Sequence, residues 1–413
     1  MIRLFFVLVL LGFNQGIFPL DVTSGQLTIS GVVKDTNSGR PVPFASVTVT
    51  SGHIGTVTNL DGEFTLKIPA SPEIAGISIS HVGYRVAGYT IDEIKESLGE
   101  FYIEPHSISI QEVVIRPTDA RAIVSSAINS IGNNYSDESL RLTAFYRETI
   151  KQRREYVSIS EAVVEIYQAP YGSQREKDMF RIVQGRKSGE VKKSDTLLVK
   201  LQGGPNVSML LDIVKNPELL ISLETLNFYD FELVDVVKID EESNYVIKFT
   251  PRVVLSYPLY QGQLYISVER LAFTMADFSL DLSDREKAVQ GFILKKPSRL
   301  RFNPANTRYL VNYKEVEGKY HVNYLRYELE FFADWRRRLF RTGYTIMSEM
   351  AITGRSSDKV TRFAPRESFR STNILADQVP VYFEDEFWGE YNYIEPDQTI
   401  DAAIKKMNRR LDW

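Results

Sequence analysis

The stretch from Gly31 to Ile68 constrains the fold of this chain more than any other. Val47 and Val49 alternate onto one face, and Phe64, Leu66 and Ile68 do the same, with Asn59 to Gly62 as the turn between their strands. Leu27 to Val33 makes a strand before them, and Gly39, Arg40 and Pro41 turn the chain into a second strand, Phe44 to Thr50. Gly76 to Arg85 continues the pattern, with Ile77 and Ile79 inward until Gly83 permits a bend or bulge. Ile108 to Ile115 closes the set. Short alternating runs separated by turn residues specify a small antiparallel sandwich.

These motifs, in this order, resemble the carboxypeptidase-like regulatory domain, a transthyretin-like sandwich found at the N-terminus of many exported bacterial proteins. Its Gly-Tyr pair is matched by Gly83 and Tyr84, and its closing strand, introduced by Gln-Glu, by Gln111-Glu112 ahead of Val113 to Ile115. The resemblance covers residues 28–115. It implies an accessory module without chemistry of its own, expected over 25–116.

At 413 residues there is room for about two or three domains. A net charge of -4, from 49 basic and 53 acidic residues, gives no basic footprint for nucleic acid. The absence of cysteine removes disulfides, thiolate metal sites, cysteine nucleophiles and a lipoprotein anchor. A load of 22 Tyr and 23 Phe suits sheets. Arg3 followed by the apolar run Leu4 to Phe13 reads as a signal peptide over 1–20, which places the chain in the periplasm or on the periplasmic face of the outer membrane. A buried core segment or a short signal anchor is the alternative. Beyond it, no run of about 18 apolar residues could form a transmembrane helix.

The remainder, 117–413, reads as an α+β domain on a large antiparallel sheet that could curl into a half-barrel, so the chain as a whole is mainly β. Strands are expected at Tyr156 to Tyr167, Tyr245 to Thr250, Gln263 to Val268, Leu271 to Phe278, and in a hairpin of Tyr309 to Lys314 with Lys319 to Tyr327. Helices are expected at about 119–132, capped by Thr118 or Asp119 and stopped by Gly132, at 207–223 and at 399–411. The layout is similar to the half-barrel of periplasmic lipoprotein carriers. Ala144-Phe-Tyr-Arg-Glu148, Tyr156 to Ala162 and Phe387 to Pro396 resemble segments of uncharacterised exported proteins that carry the same N-terminal module. Some longer relatives continue into an outer-membrane barrel, whereas this sequence closes on a basic amphipathic helix.

Candidate chemistry is sparse. His53, His81, His106 and His321 are scattered, with no His-x-x-Glu or His-Glu-x-x-His spacing for zinc, so zinc-peptidase activity is not expected. No Gly-x-Ser-x-Gly elbow occurs, and Gly203-Gly204-Pro205 lacks the lysine of a phosphate loop. The Asn59 to Gly62 turn could hold Ca²⁺ through its side-chain oxygens, although a plain turn accounts for it. No catalytic, cofactor or metal residue is assigned, and no cofactor is expected.

Arg147, Glu148 and Glu161 are the charges that stand out. Phe145 and Arg147 share one strand face, Tyr146 and Glu148 the other, so one charge must face inward and needs a partner. A paired network or a ligand clamp would both satisfy it. Trp335 to Arg341 is a basic cluster that could meet anionic lipid or lie as a solvated turn. The expectation is a non-enzymatic envelope binding or scaffolding protein, holding an apolar ligand such as a lipid or a partner's strand. An accessory partner of an outer-membrane receptor or transporter is the alternative, and an uncharacterised hydrolase the third. Elemental analysis of untagged protein should find well under one equivalent of zinc per chain; a full tightly held equivalent would overturn the non-enzymatic reading.

Overall fold

The computed structural model describes residues 20–408 apart from 24, 51, 72–73, 107–118, 174, 189–202, 285–299, 336–340, 359 and 382–386. The leader expected over 1–20 (save Leu20), the strand at Ile108 to Ile115, the cap Thr118, most of the basic cluster from Trp335 to Arg341 and the last five residues lie outside that set.

The N-terminal part is two small sheets face to face. β1 (Leu20–Thr23), β2 (Gln26–Asp35), β3 (Ser46–Val49), β4 (Gly55–Val57), β5 (Glu63–Pro69), β6 (Gly76–Ser80), β7 (Ala87–Thr90), α1 (Ile91–Glu96) and β8 (Glu100–Ile103) follow in order. One sheet runs β1-β2-β5 with β8 parallel to β2, and the other runs β4-β3-β6-β7. Val47, Val49, Phe64, Leu66, Ile68, Ile77 and Ile79 all enter the shared core, as strand alternation dictates. Asn59 builds the turn before β5: its Oδ1 accepts from Asp61 N and Glu63 N, both at 2.9 Å, and Gly62 takes the left-handed φ of 75°.

The second part begins with α2 (Ala120–Asn129) and α3 (Ile131–Asn134). Asp119 caps α2 by accepting from Arg121 N at 3.0 Å and Ala122 N at 3.3 Å. Gly132 does not stop the helix; Ser130 is the C-cap and Gly132 lies within α3. Then come β9 (Leu140–Gln152), β10 (Glu155–Gln168), β11 (Met179–Lys187), α4 (Gly204–Met209), β12 (Tyr229–Ile239), β13 (Glu242–Pro251), β14 (Tyr260–Ser267), β15 (Phe273–Leu280), β16 (Leu300–Val316), β17 (Lys319–Trp335), β18 (Thr342–Ser356), α5 (Leu375–Gln378) and α6 (Gln398–Asn408). Ten strands form one antiparallel sheet in the order β11-β10-β9-β18-β17-β16-β15-β14-β13-β12, open at both edges rather than closed into a barrel.

The helix expected over 207–223 is a correction. Helical structure starts earlier, at Gly204, and α4 ends at Met209, followed only by 3₁₀ turns at Pro217–Leu219 and Thr225–Phe228. The cause is Asp212, whose Oδ1 accepts from Val214 N and Lys215 N and so offers the backbone a turn in place of a helix.

Both faces of the sheet are covered. On one, Ile123, Val124 and Ala127 of α2, Met209 of α4, and Leu211, Ile213, Val214, Leu220 and Ile221 beyond it pack against Ala144, Tyr146, Val164, Phe249 and Leu264. The other face needs a cover as well. The chain supplies its own. Phe44 and Val57 of the sandwich join Trp388, Tyr393 and Ile394 over Phe145, Val163 and Tyr324, while Ile400, Ile404 and Met407 of α6 lie on Ile159 and Met347. Each such side chain contributes about 1.5–3 kcal/mol by leaving water.

Within the sandwich, β6 and β7 approach so closely at Gly76 that a Cβ there would overlap the carbonyl of Tyr89. Gly76→Ala should therefore destabilise the chain by about 1–3 kcal/mol, read as a lowered thermal midpoint. An unchanged melt would mean that the β6–β7 pairing is looser than this.

Candidate functional site

Arg147 sits at the centre of β9 with its guanidinium buried at 1% exposure. The antiparallel register puts Glu161 of β10 and Glu349 of β18 directly beside it, Arg186 of β11 beside Glu161, and Arg326 of β17 beside Glu349. The result is a row of alternating charge across five strands. Arg147 Nε meets Glu161 Oε1 at 2.7 Å and Nη1 meets Glu349 Oε1 at 2.9 Å. Arg186 Nε meets Glu161 Oε2 at 2.7 Å, and Arg326 bridges Glu349 and Glu328, each at 3.2 Å. Tyr324 adds a hydroxyl donor to Glu349 at 3.0 Å.

Burial alone would lower the Arg147 pKa, but Glu161 and Glu349 more than offset it and hold the guanidinium charged. Burial pushes Glu161 up, and Arg147 and Arg186 pull it below the usual carboxylate range. Every charge in the row has an opposite neighbour. Such a row adds little net stability, yet removing one member would cost about 3–5 kcal/mol by stranding a charge.

Of the three charges singled out by sequence, Arg147 and Glu161 are thus joined, and Glu148 is not. Both faces of β9 are covered, so Glu148 is buried too, on the opposite side. Its Oε2 accepts from Tyr146 OH at 3.0 Å, and burial pushes its pKa up to about 8. Asp212, buried on the same helical side, accepts from Tyr313 OH at 2.8 Å and is pushed by burial up to about 6. Sequence reasoning missed Asp212, Glu349, Arg186 and Arg326; an isolated charge inside an otherwise apolar strand, as at Glu349, was the available signal.

Among the described residues, two of the clefts bear on the site. One, of about 180 Å³, lies between the sandwich and the sheet and is lined by Ser46, His81, Asp277, Arg308, Lys314 and Tyr324 among others. Lys314 donates to Thr48 Oγ1 at 3.1 Å, and burial lowers its pKa. The other, of about 250 Å³, is aromatic, with Phe228, Tyr229, Tyr257 and Tyr260. Neither cleft is lined by Glu148 or Asp212. His53 lies 3.4 Å from Glu317, and His81 bonds Val82 O at 2.9 Å. His321 is buried, and burial with the nearby Arg355 lowers it to about 4. Among the described residues no group of three or more His, Asp or Glu is placed to hold a metal ion. The Asn59 turn spends its side-chain oxygen on backbone N–H groups, and Asp61 Oδ2 accepts from Gln398 N.

The Glu148 carboxyl generates a pH prediction. Its folded pKa lies above the ordinary 4.5, so its stabilisation is complete below pH 4.5 and is lost as pH rises through about 8. Asp212 acts in the same sense but only up to about pH 6, and His321 destabilises only as pH falls below 6.5 toward 4. Between pH 6.5 and 8 the unmodified chain should lose up to about 1.4 kcal/mol per pH unit through Glu148. Glu148→Gln should flatten that slope in denaturant titrations, and an unaltered slope would mean that Glu148 is already ionised.

Comparison with known proteins adds the following. The family model described as CarboxypepD_reg-like domain matches residues 29–115. The TonB-dependent receptor SusC of Bacteroides thetaiotaomicron is 40% identical over 78 residues, which are 19% of this chain and 7% of that receptor. The chain therefore spans only a small fraction of that relative's length. Among solved structures, a DUF1329 family protein from Desulfovibrio piger aligns over 59% of this chain and 96% of its own at 10% identity, with a TM-score of 0.26. A putative outer membrane lipoprotein-sorting protein domain from Vibrio parahaemolyticus aligns over 59% and 94% at 10% identity, with a TM-score of 0.24. Scores of that size do not establish a common fold. Residues 29–115 are a CarboxypepD_reg-like domain.

Proposed function

We propose that this chain is a non-enzymatic cell-envelope protein that works by binding a protein partner, with an outer-membrane receptor or transporter as the favoured class. The observation that carries the reading is the placement of the buried ionisable groups. Arg147, Glu161, Arg186, Glu349 and Arg326 are spent on one another, and Glu148 and Asp212 line neither cleft. General acid–base work needs a titratable group within reach of a substrate, and of those that do line a cleft, Lys314 is held by Thr48 Oγ1, His81 by Val82 O and Asp277 by Arg308.

An apolar cargo in the curve of the sheet is less favoured, because α2, α4 and the segment after α4 fill that face with the chain's own side chains. The choice of partner class leans on the segment similar to a TonB-dependent receptor and on the export expected from residues 1–20. Chemical cross-linking of the full chain in its native envelope should yield a discrete adduct with an outer-membrane protein. Organic extraction should release no stoichiometric amphiphile. Ester or peptide turnover abolished by Glu148→Gln, or one equivalent of extracted lipid per chain, would replace this reading with a hydrolase or a carrier.

A further inference from the structure

The segment 387–397 runs along the seam between the sandwich and the large sheet without helix or strand of its own. Its polar groups are met by the walls of that seam. β5 is an edge strand of its sheet, and Asn392 caps it: Asn392 Oδ1 accepts from Lys67 N at 2.6 Å, and Nδ2 donates to Lys67 O at 2.9 Å. A side-chain amide thus takes the place of a neighbouring strand. Thr56 donates to Tyr393 O at 2.9 Å, Asn59 to Pro396 O at 3.2 Å, and Arg147 Nη2 to Ile394 O at 2.7 Å. Trp388 and Ile394 are buried between the two walls, with Trp388 edge-on to Phe145 at 5.3 Å and Arg186 4.9 Å from its ring centre.

We propose that this seam is a docking groove for an extended, ring-bearing peptide, occupied here in cis by residues 387–397, and that it accepts the same segment in trans, as from a second copy of the chain. Two further features separate the segment from a permanent core element. The charge row beneath it balances without it: three guanidinium groups face three carboxylates, and the segment lends Arg147 only carbonyl dipoles. Its departure therefore strands no buried charge, and water can take up the donors it leaves. The fit is also incomplete. Trp388 Nε1 is buried and meets no hydrogen-bond acceptor among the described residues. Recognition by edge-strand hydrogen bonds with side-chain pockets between them is a general mode of peptide binding. The proposal rests on the seam alone and stands apart from the envelope reading.

The test uses the full chain and a fluorescein-labelled peptide of residues 387–398, followed by anisotropy. The resident segment competes at high effective concentration, so uptake by the unmodified chain should be weak. Whatever factor the resident loses, the peptide gains. Trp388→Ala with Asn392→Ala in the chain should therefore tighten binding of the unmodified peptide at least tenfold. The peptide carrying the same two substitutions should not bind. Adding Thr56→Val to the groove wall should weaken uptake again. Asn392→Ala alone, which leaves every ring in place, serves if the double variant does not melt cooperatively. A cooperatively folded variant that takes up the peptide no better than the unmodified chain overturns the proposal.

Discussion

A guanidinium buried in the middle of a ten-stranded sheet sets the terms for everything around it. Arg147 cannot be left without partners there, since the effective cost of a dehydrated ion is several kcal/mol. The sheet answers with one residue from each neighbouring strand: Glu161 and Arg186 on one side, Glu349 and Arg326 on the other. Because side chains alternate along a strand, slipping any of these pairings by one residue would send charges into the apolar helical face. The row therefore locks the register of β11, β10, β9, β18 and β17. It also fixes the seam, because the Arg147 donors left over point at the carbonyls of Ile394 and Glu395. Its value lies in specifying one arrangement more than in net stability.

The same alternation explains why the sandwich is mounted where it is. Strands such as β9 and β10 are buried on both faces, so the sheet needs a second layer on each side. α2, α4 and the segment after α4 fill one face. The second face is covered in three pieces by the sandwich, the segment 387–397 and α6. The N-terminal module is thus a structural layer of the second part as well as a unit with its own core.

What could be read from the sequence was local. The inward Val47, Val49, Ile77 and Ile79 and the Asn59 turn follow from strand period and turn chemistry over a few residues. The division of Phe145 and Arg147 from Tyr146 and Glu148 across two faces follows from the same period. The partners of Arg147 do not: Glu349 lies 202 residues away, and only the placement of β18 beside β9 joins them. The overrun of the helix at 207–223 was local but hidden, because an apolar stripe continued past Asp212 while the aspartate side chain turned the backbone. Gly132 misled for a related reason, since a glycine within a short helical turn looks the same as one that ends a helix.

The edges of the large sheet narrow where a partner could bind. β11 and β12 are its two terminal strands, and an unprotected edge would recruit any extended chain. Each is interrupted by a bulge whose extra residue is an exposed valine, Val183 in β11 and Val234 in β12. β12 adds the exposed carboxylates Asp230, Glu232 and Asp235. β11 is further occupied where Phe180 O accepts from Phe369 N and Lys187 N donates to Pro380 O. Both edges are thus blunted against strand addition. The edge of β5 is handled differently, by the amide of a single asparagine that can leave without breaking a ladder. Of β11, β12 and β5, only the last is met by a side-chain amide of an extended segment in place of a bulge or a backbone contact, which is what lets that segment leave.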